Sequence, residues 1–150
     1  MCDLRTVYFG MKSKGFKIVV RKLKGKRYFS AAMGFKYPLD GHIPVVKWQR
    51  RISSGYKDDI IEKYSHSLRD DMIGRTAIFP NFIDVCIEYR YLRGKNIEEG
   101  YVVVIVQVEL SVDMMEGEYG GRKVVAGRHI RFIKEVEASS KEEYYREEIT

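Results

Sequence analysis

A chain of 150 residues, 45% apolar and 32% charged, is globular, suits one domain and buries enough surface to fold without a disulfide or metal staple. Its longest apolar run, Tyr101 to Val106, is far short of the roughly 20 residues a membrane span needs, and MCDLRTVYF lacks the basic start and apolar run of a signal peptide, so a soluble intracellular (cytoplasmic) protein is expected. The net charge of +6 hides a division: residues 1–51 hold 13 Lys and Arg against Asp3 and Asp40, a balance of +11, whereas residues 52–150 hold 14 against 19 acids, a balance of −5.

In chain order, FKIVVRKL at 16–23 alternates, with Phe16, Ile18 and Val20 on one face and Lys17, Val19, Arg21 and Leu23 on the other, which predicts a strand. Gly25 sits in a basic turn, and Arg27 to Ala32 is expected to return antiparallel as the second arm of a hairpin with a KGK tip. Gly34, Pro38 and Leu39-Asp40-Gly41 mark loop, and Ile43 to Trp48 reads as an extended edge piece because of Pro44. Ile60, Ile61 and Tyr64 predict a short helix at about 57–65, and Thr76 to Phe79 a short strand.

The clearest helix is predicted over about 81–93. Asn81 is its N-cap, Asp84 stands near its positive end, and Phe82, Val85, Cys86, Tyr89 and Leu92 form one stripe before Gly94. Cys86 on that stripe reads as an inert core thiol, and nothing forces it to pair with Cys2.

Tyr101 to Val112 predicts a long central strand, apolar on the Val102-to-Val112 face and passing from apolar to polar on the other. Glu116 to Gly121 reads as a flexible turn, followed by strands at 123–126 and 129–136. The sum is an α+β fold: a mostly antiparallel sheet of about six strands packed against one main helix, as one domain over 1–138. Residues 139–150 form a charged tail, either unstructured or helical from a Ser140–Glu143 capping box.

Several chemistries are excluded as expectations. There is no phosphate loop and no dinucleotide-binding glycine motif, so no cofactor is expected. His42, His66 and His129 are scattered and no cysteine pair has ligand spacing, so no metal site is expected.

Two constellations remain. Lys24, Lys26 and Arg27, followed by Trp48, Arg50 and Arg51, offer cations for an acidic protein surface or nucleic acid, with Trp48 as an aromatic anchor. KGKRYFSA resembles part of the RNA-recognition signature, but Tyr28 and Phe29 are adjacent and a strand points them to opposite faces, so they form no single stacking platform. The second constellation is Glu116-Gly117-Glu118, two carboxylates on one side of an extended segment. It resembles the E-x-E signature of arginine-type ADP-ribosyltransferases, which implies Arg21 and Ser30 near a dinucleotide and Glu118 at the reacting centre. The family's Ser-Thr-Ser motif is replaced here by Tyr28-Phe29-Ser30-Ala31.

The order FKIVVR, RYFSA, TAIFPNFIDVCIEY, VVVIVQVEL and HIRFIKEV, spanning about 16–136, resembles small uncharacterised viral and phage-type proteins. That resemblance implies a small α+β domain and an accessory role such as blocking a host factor. The expected function is therefore non-enzymatic binding of an acidic partner through the basic N-terminal half, with the ADP-ribosyltransferase as the alternative. A homo-oligomer paired through an edge near Pro44 is a third reading, and no membrane partner is expected.

Overall fold

The computed structural model describes residues 3–6, 12–30, 36–44, 74–93 and 99–138. The expected helix at 57–65, Trp48, Arg50, Arg51 and the tail 139–150 lie outside these residues. The described residues form eight strands and one helix: β1 (Asp3–Thr6), β2 (Ser13–Lys22), β3 (Asp40–His42), β4 (Thr76–Ile78), α1 (Phe82–Arg93), β5 (Tyr101–Ser111), β6 (Met115–Tyr119), β7 (Arg122–Gly127) and β8 (His129–Val136).

All pairings are antiparallel, as expected, but the single six-stranded sheet is corrected to two four-stranded sheets, β1-β6-β7-β4 and β2-β5-β8-β3. One long hairpin explains the division. β5 and β6 run out, Gly120 and Gly121 turn with φ of 59° and 79°, and β7 and β8 return. Two central residues with positive φ make the tight hairpin turn whose twist suits the flanking strands. The expected flexible stretch at 116–121 is thus strand over 116–119 and a defined turn at Gly120 and Gly121.

Midway, this hairpin folds over. The ladder passes from Ser111↔His129 to Met115↔Ala126, so three residues, 112–114, oppose two, 127–128. The extra residue is a bulge, and bulges bend a strand and let it change sheets. Val112 and Asp113 absorb the bend with φ of 67° and 49°. The Arg128 N–H donates to the Val112 carbonyl at 3.0 Å. Asp113 is clamped from both sides: Arg75 Nε donates to its carbonyl at 3.0 Å, and Arg128 Nε to its carboxylate at 2.9 Å.

A second junction joins the sheets. Phe16 of β2 and Phe79, just past β4, exchange both backbone hydrogen bonds at 2.8 and 2.9 Å. The chains approach so closely that a Cβ on Gly15 would lie 2.6 Å from the Phe79 carbonyl oxygen.

The main core fills the space between the sheets. Val19, Val106, Val108, Leu110 and Ile130 meet Ile78 and Val125 there, with Tyr37, Ile43 and Met114. The other face of β2 and β5 is covered by α1, where Val85 and Cys86 pack with Ile105 beside Phe16 and Ile18. β5 is therefore buried on both faces in its first half and on one face later, as its alternation predicts. The helix spans the expected residues; the Asn81 carbonyl accepts its first hydrogen bond, from Val85, at 3.3 Å. Arg122 of β7 reaches Glu88 on α1 at 2.7 Å and ties the helix to the β1-β6-β7-β4 sheet as well.

Of the expected return arm at 27–32, residues 27–30 are described, and among them one bridge joins β2. Phe29 exchanges backbone hydrogen bonds with Val20 at 2.8 and 3.0 Å, and Tyr37 then pairs with Tyr28 through one bond of 2.9 Å. Arg27 and Tyr28 are turned to side-chain tasks instead of a ladder.

Candidate functional site

The basic tip begins where β2 runs out. Gly25 N–H donates to the Lys22 carbonyl at 2.9 Å, closing a tight turn over Lys22, Leu23, Lys24 and Gly25. Leu23 N–H donates to the Gly100 carbonyl at 3.0 Å, fastening the turn to the start of β5. Arg21 fastens it from the other side: its Nη1 donates to the carbonyls of Lys22 at 3.1 Å and Leu23 at 2.8 Å.

Arg21 is itself fixed by a fork onto Glu135 of β8, with Nε and Nη2 within 3.1 Å of the carboxylate oxygens. Such two-pronged guanidinium–carboxylate pairing holds geometry better than a single contact. The same carboxylate accepts the Tyr28 hydroxyl at 3.1 Å. Partial burial, and then the negative charge of Glu135, push the Tyr28 phenol above its ordinary pKa.

Both rings of the tip's second arm are committed. Tyr28 stacks on Phe132 with centroids 4.7 Å apart, and Phe29 meets Tyr101 edge-on at 6.2 Å. They lie on opposite sides, Tyr28 against the inter-sheet core and Phe29 against Val20 and Val103. Both rings are half-buried.

What remains outward is charge around one aliphatic side chain. Lys22, Lys24, Lys26 and Arg27 are exposed, and Leu23 between them is 64% exposed. Arg27 gives one N–H to the Tyr37 carbonyl at 3.0 Å, which orients the guanidinium without neutralising it. Lys22, Lys24 and Lys26 form no ion pair with any acid among the described residues, exposed Glu99 included. Lys17 is a contrast: its Nζ donates to the Ala77 carbonyl at 2.7 Å and lies over the Tyr37 ring, so that cation is structural.

The structure thus gathers Lys24, Lys26 and Arg27 on one fixed turn, as the sequence suggests, while Trp48, Arg50 and Arg51 lie outside the described residues. One contributor, Leu23, was not singled out in the sequence. Its signal is position: it stands just past the last ladder pair, Lys22↔Tyr101, where alternation no longer dictates burial.

The other expected site residues fall apart by sheet. Arg21 is held by Glu135, and Ser30 is buried. Glu116 and Glu118 stand on β6 of the other sheet, where Glu116 pairs with Lys123 at 3.2 Å and Glu118 is exposed opposite Lys123 in the register. Two histidines do meet: His42 and His129 are cross-strand partners with rings 5.1 Å apart, and His129 Nε2 lies 2.8 Å from Asp40. No group able to hold a metal ion occurs among the described residues. No helix among them is long and apolar enough to cross a membrane.

No protein-family model, curated protein or solved structure matches this chain.

Proposed function

We propose that this chain is a non-enzymatic binding protein that engages an acidic partner through the Lys22–Arg27 tip. One observation supports the reading most: a turn whose backbone is held on both flanks, with the two residues that follow it, carries four exposed cations, and three of them form no ion pair among the described residues. Keeping like charges together opposes folding, so a cluster with no ion pair to its lysines among the described residues is suited to meeting an external anion. In the same reading Arg50 and Arg51 add charge and Trp48 an aromatic anchor. An accessory protein that covers an acidic face of a host factor is one form of it, in line with the resemblance to viral and phage-type proteins.

The test compares binding of labelled polyglutamate and of a mixed RNA and DNA pool at low and physiological salt. The expected result is binding that weakens with salt and is largely lost in Lys24→Glu/Lys26→Glu. Equal binding by that variant and the parent chain sinks the proposal.

A further inference from the structure

We infer that the partner is a protein, and that Leu23 is the anchor that enters an apolar pocket bordered by its carboxylates; the inference rests on the acidic-partner reading above. Leu23 is the most exposed of the large apolar residues described, at 64%. A lone exposed leucine is ordinary on a protein surface. This one differs in having its main chain held and exposed lysines on both sides of it in the chain. Its N–H is held by Gly100 and its carbonyl by Arg21, so its main chain is already ordered before any partner arrives. Docking a side chain carried on an ordered main chain loses less conformational freedom than docking one on a mobile segment.

The surroundings set the chemistry of the pocket. Lys22 precedes Leu23, Lys24 follows it, and Lys26 and Arg27 come three and four residues on, all exposed. An apolar anchor inside a charged border is the arrangement of a protein interface, where the centre is desolvated and the rim polar. Nucleic acid matches it poorly. Phosphates satisfy the lysines, but bases need a ring to stack on, and among the described residues the two rings of the tip, Tyr28 and Phe29, are taken up by Phe132 and Tyr101. An anionic lipid surface matches it poorly too, because one aliphatic prong lacks the broad apolar face that holds an element in a bilayer interface.

The experiment pans a displayed library of random peptides against the full chain, with Leu23→Ser as a second bait. The proposal expects enriched peptides that carry an aliphatic or aromatic residue between acidic ones. Their affinity should fall at least about tenfold for Leu23→Ser and return in Leu23→Met. An unchanged thermal midpoint in Leu23→Ser confirms that the fold is intact. Enriched peptides that are acidic but indifferent to Leu23 overturn the anchor and leave the acidic-partner reading standing. No enrichment at all, with no binding to polyglutamate or nucleic acid, overturns both. Single-stranded RNA or phosphatidylserine vesicles that bind more tightly than every selected peptide overturn the choice of a protein.

Discussion

Val112 carries more backbone strain than its exposed position suggests. A β-branched residue at a φ of 67° is an outlier, since the left-handed region costs an L-residue about 1–2 kcal/mol and suits Asn or Gly. Val112 is 41% exposed, so little packing is lost on replacing it. Val112→Asn is expected to stabilise the fold by about 1 kcal/mol, read from the denaturant midpoint; a loss of stability would show that the bend does not need this backbone. At Tyr28 the sign of the pH effect follows from its raised pKa. The fold favours the protonated phenol, so its stabilisation is present below the ordinary tyrosine value of about 10 and is lost as pH rises through the folded value. Ultraviolet titration should show a late tyrosinate step that Tyr28→Phe removes and Glu135→Gln moves to lower pH. If Tyr28→Phe leaves the titration unchanged, Glu135 is not acting on this phenol.

The elements depend on two corners. At one, the bulge at 112–114 carries a single hairpin from one sheet into the other. At the other, β2 and the end of β4 approach so closely that Gly15 admits no side chain without moving backbone. Gly15→Ala is therefore expected to cost about 1–3 kcal/mol, as overpacking does in a filled interior. A denaturant midpoint equal to that of the parent chain would mean that the sheets can part there freely. The tip inherits its rigidity from the same layout. β2 and β8 both flank β5, which brings Arg21 within reach of Glu135 although 114 positions separate them in the chain.

Over the whole molecule the +11 balance of residues 1–51 resolves into two kinds of cation. Some are structural, such as Lys17 on Ala77 and Arg21 on Glu135. Lys22, Lys24 and Lys26 have no such task among the described residues, so changing them should separate binding from stability. Lys24→Glu/Lys26→Glu is expected to lose anion binding while its thermal midpoint stays level or rises, because like-charge repulsion at the tip falls. A large fall in the midpoint would make these lysines part of the fold.

Periodicity alone determined much of this protein. The α1 stripe of Phe82, Val85, Cys86 and Tyr89, the two-faced β5 and the opposite placement of Tyr28 and Phe29 follow from repeats of 3.6 and 2, which local geometry imposes on any chain. The Gly120-Gly121 turn was also there to be found, since a glycine pair between MEGEY and RKVVA is a hairpin signal. Other features depended on residues distant in sequence and had no local pattern to betray them. The division into two sheets hangs on one extra residue opposite Gly127 and Arg128. The tying of Arg21 to Glu135, and the freedom of Leu23 to stand in water, hang on which strands became neighbours. The sequence shows where charge is dense; only the tertiary structure decided which cations would be tied to the fold and which left facing outward, because neutralisation requires an acid to be brought within a few ångströms.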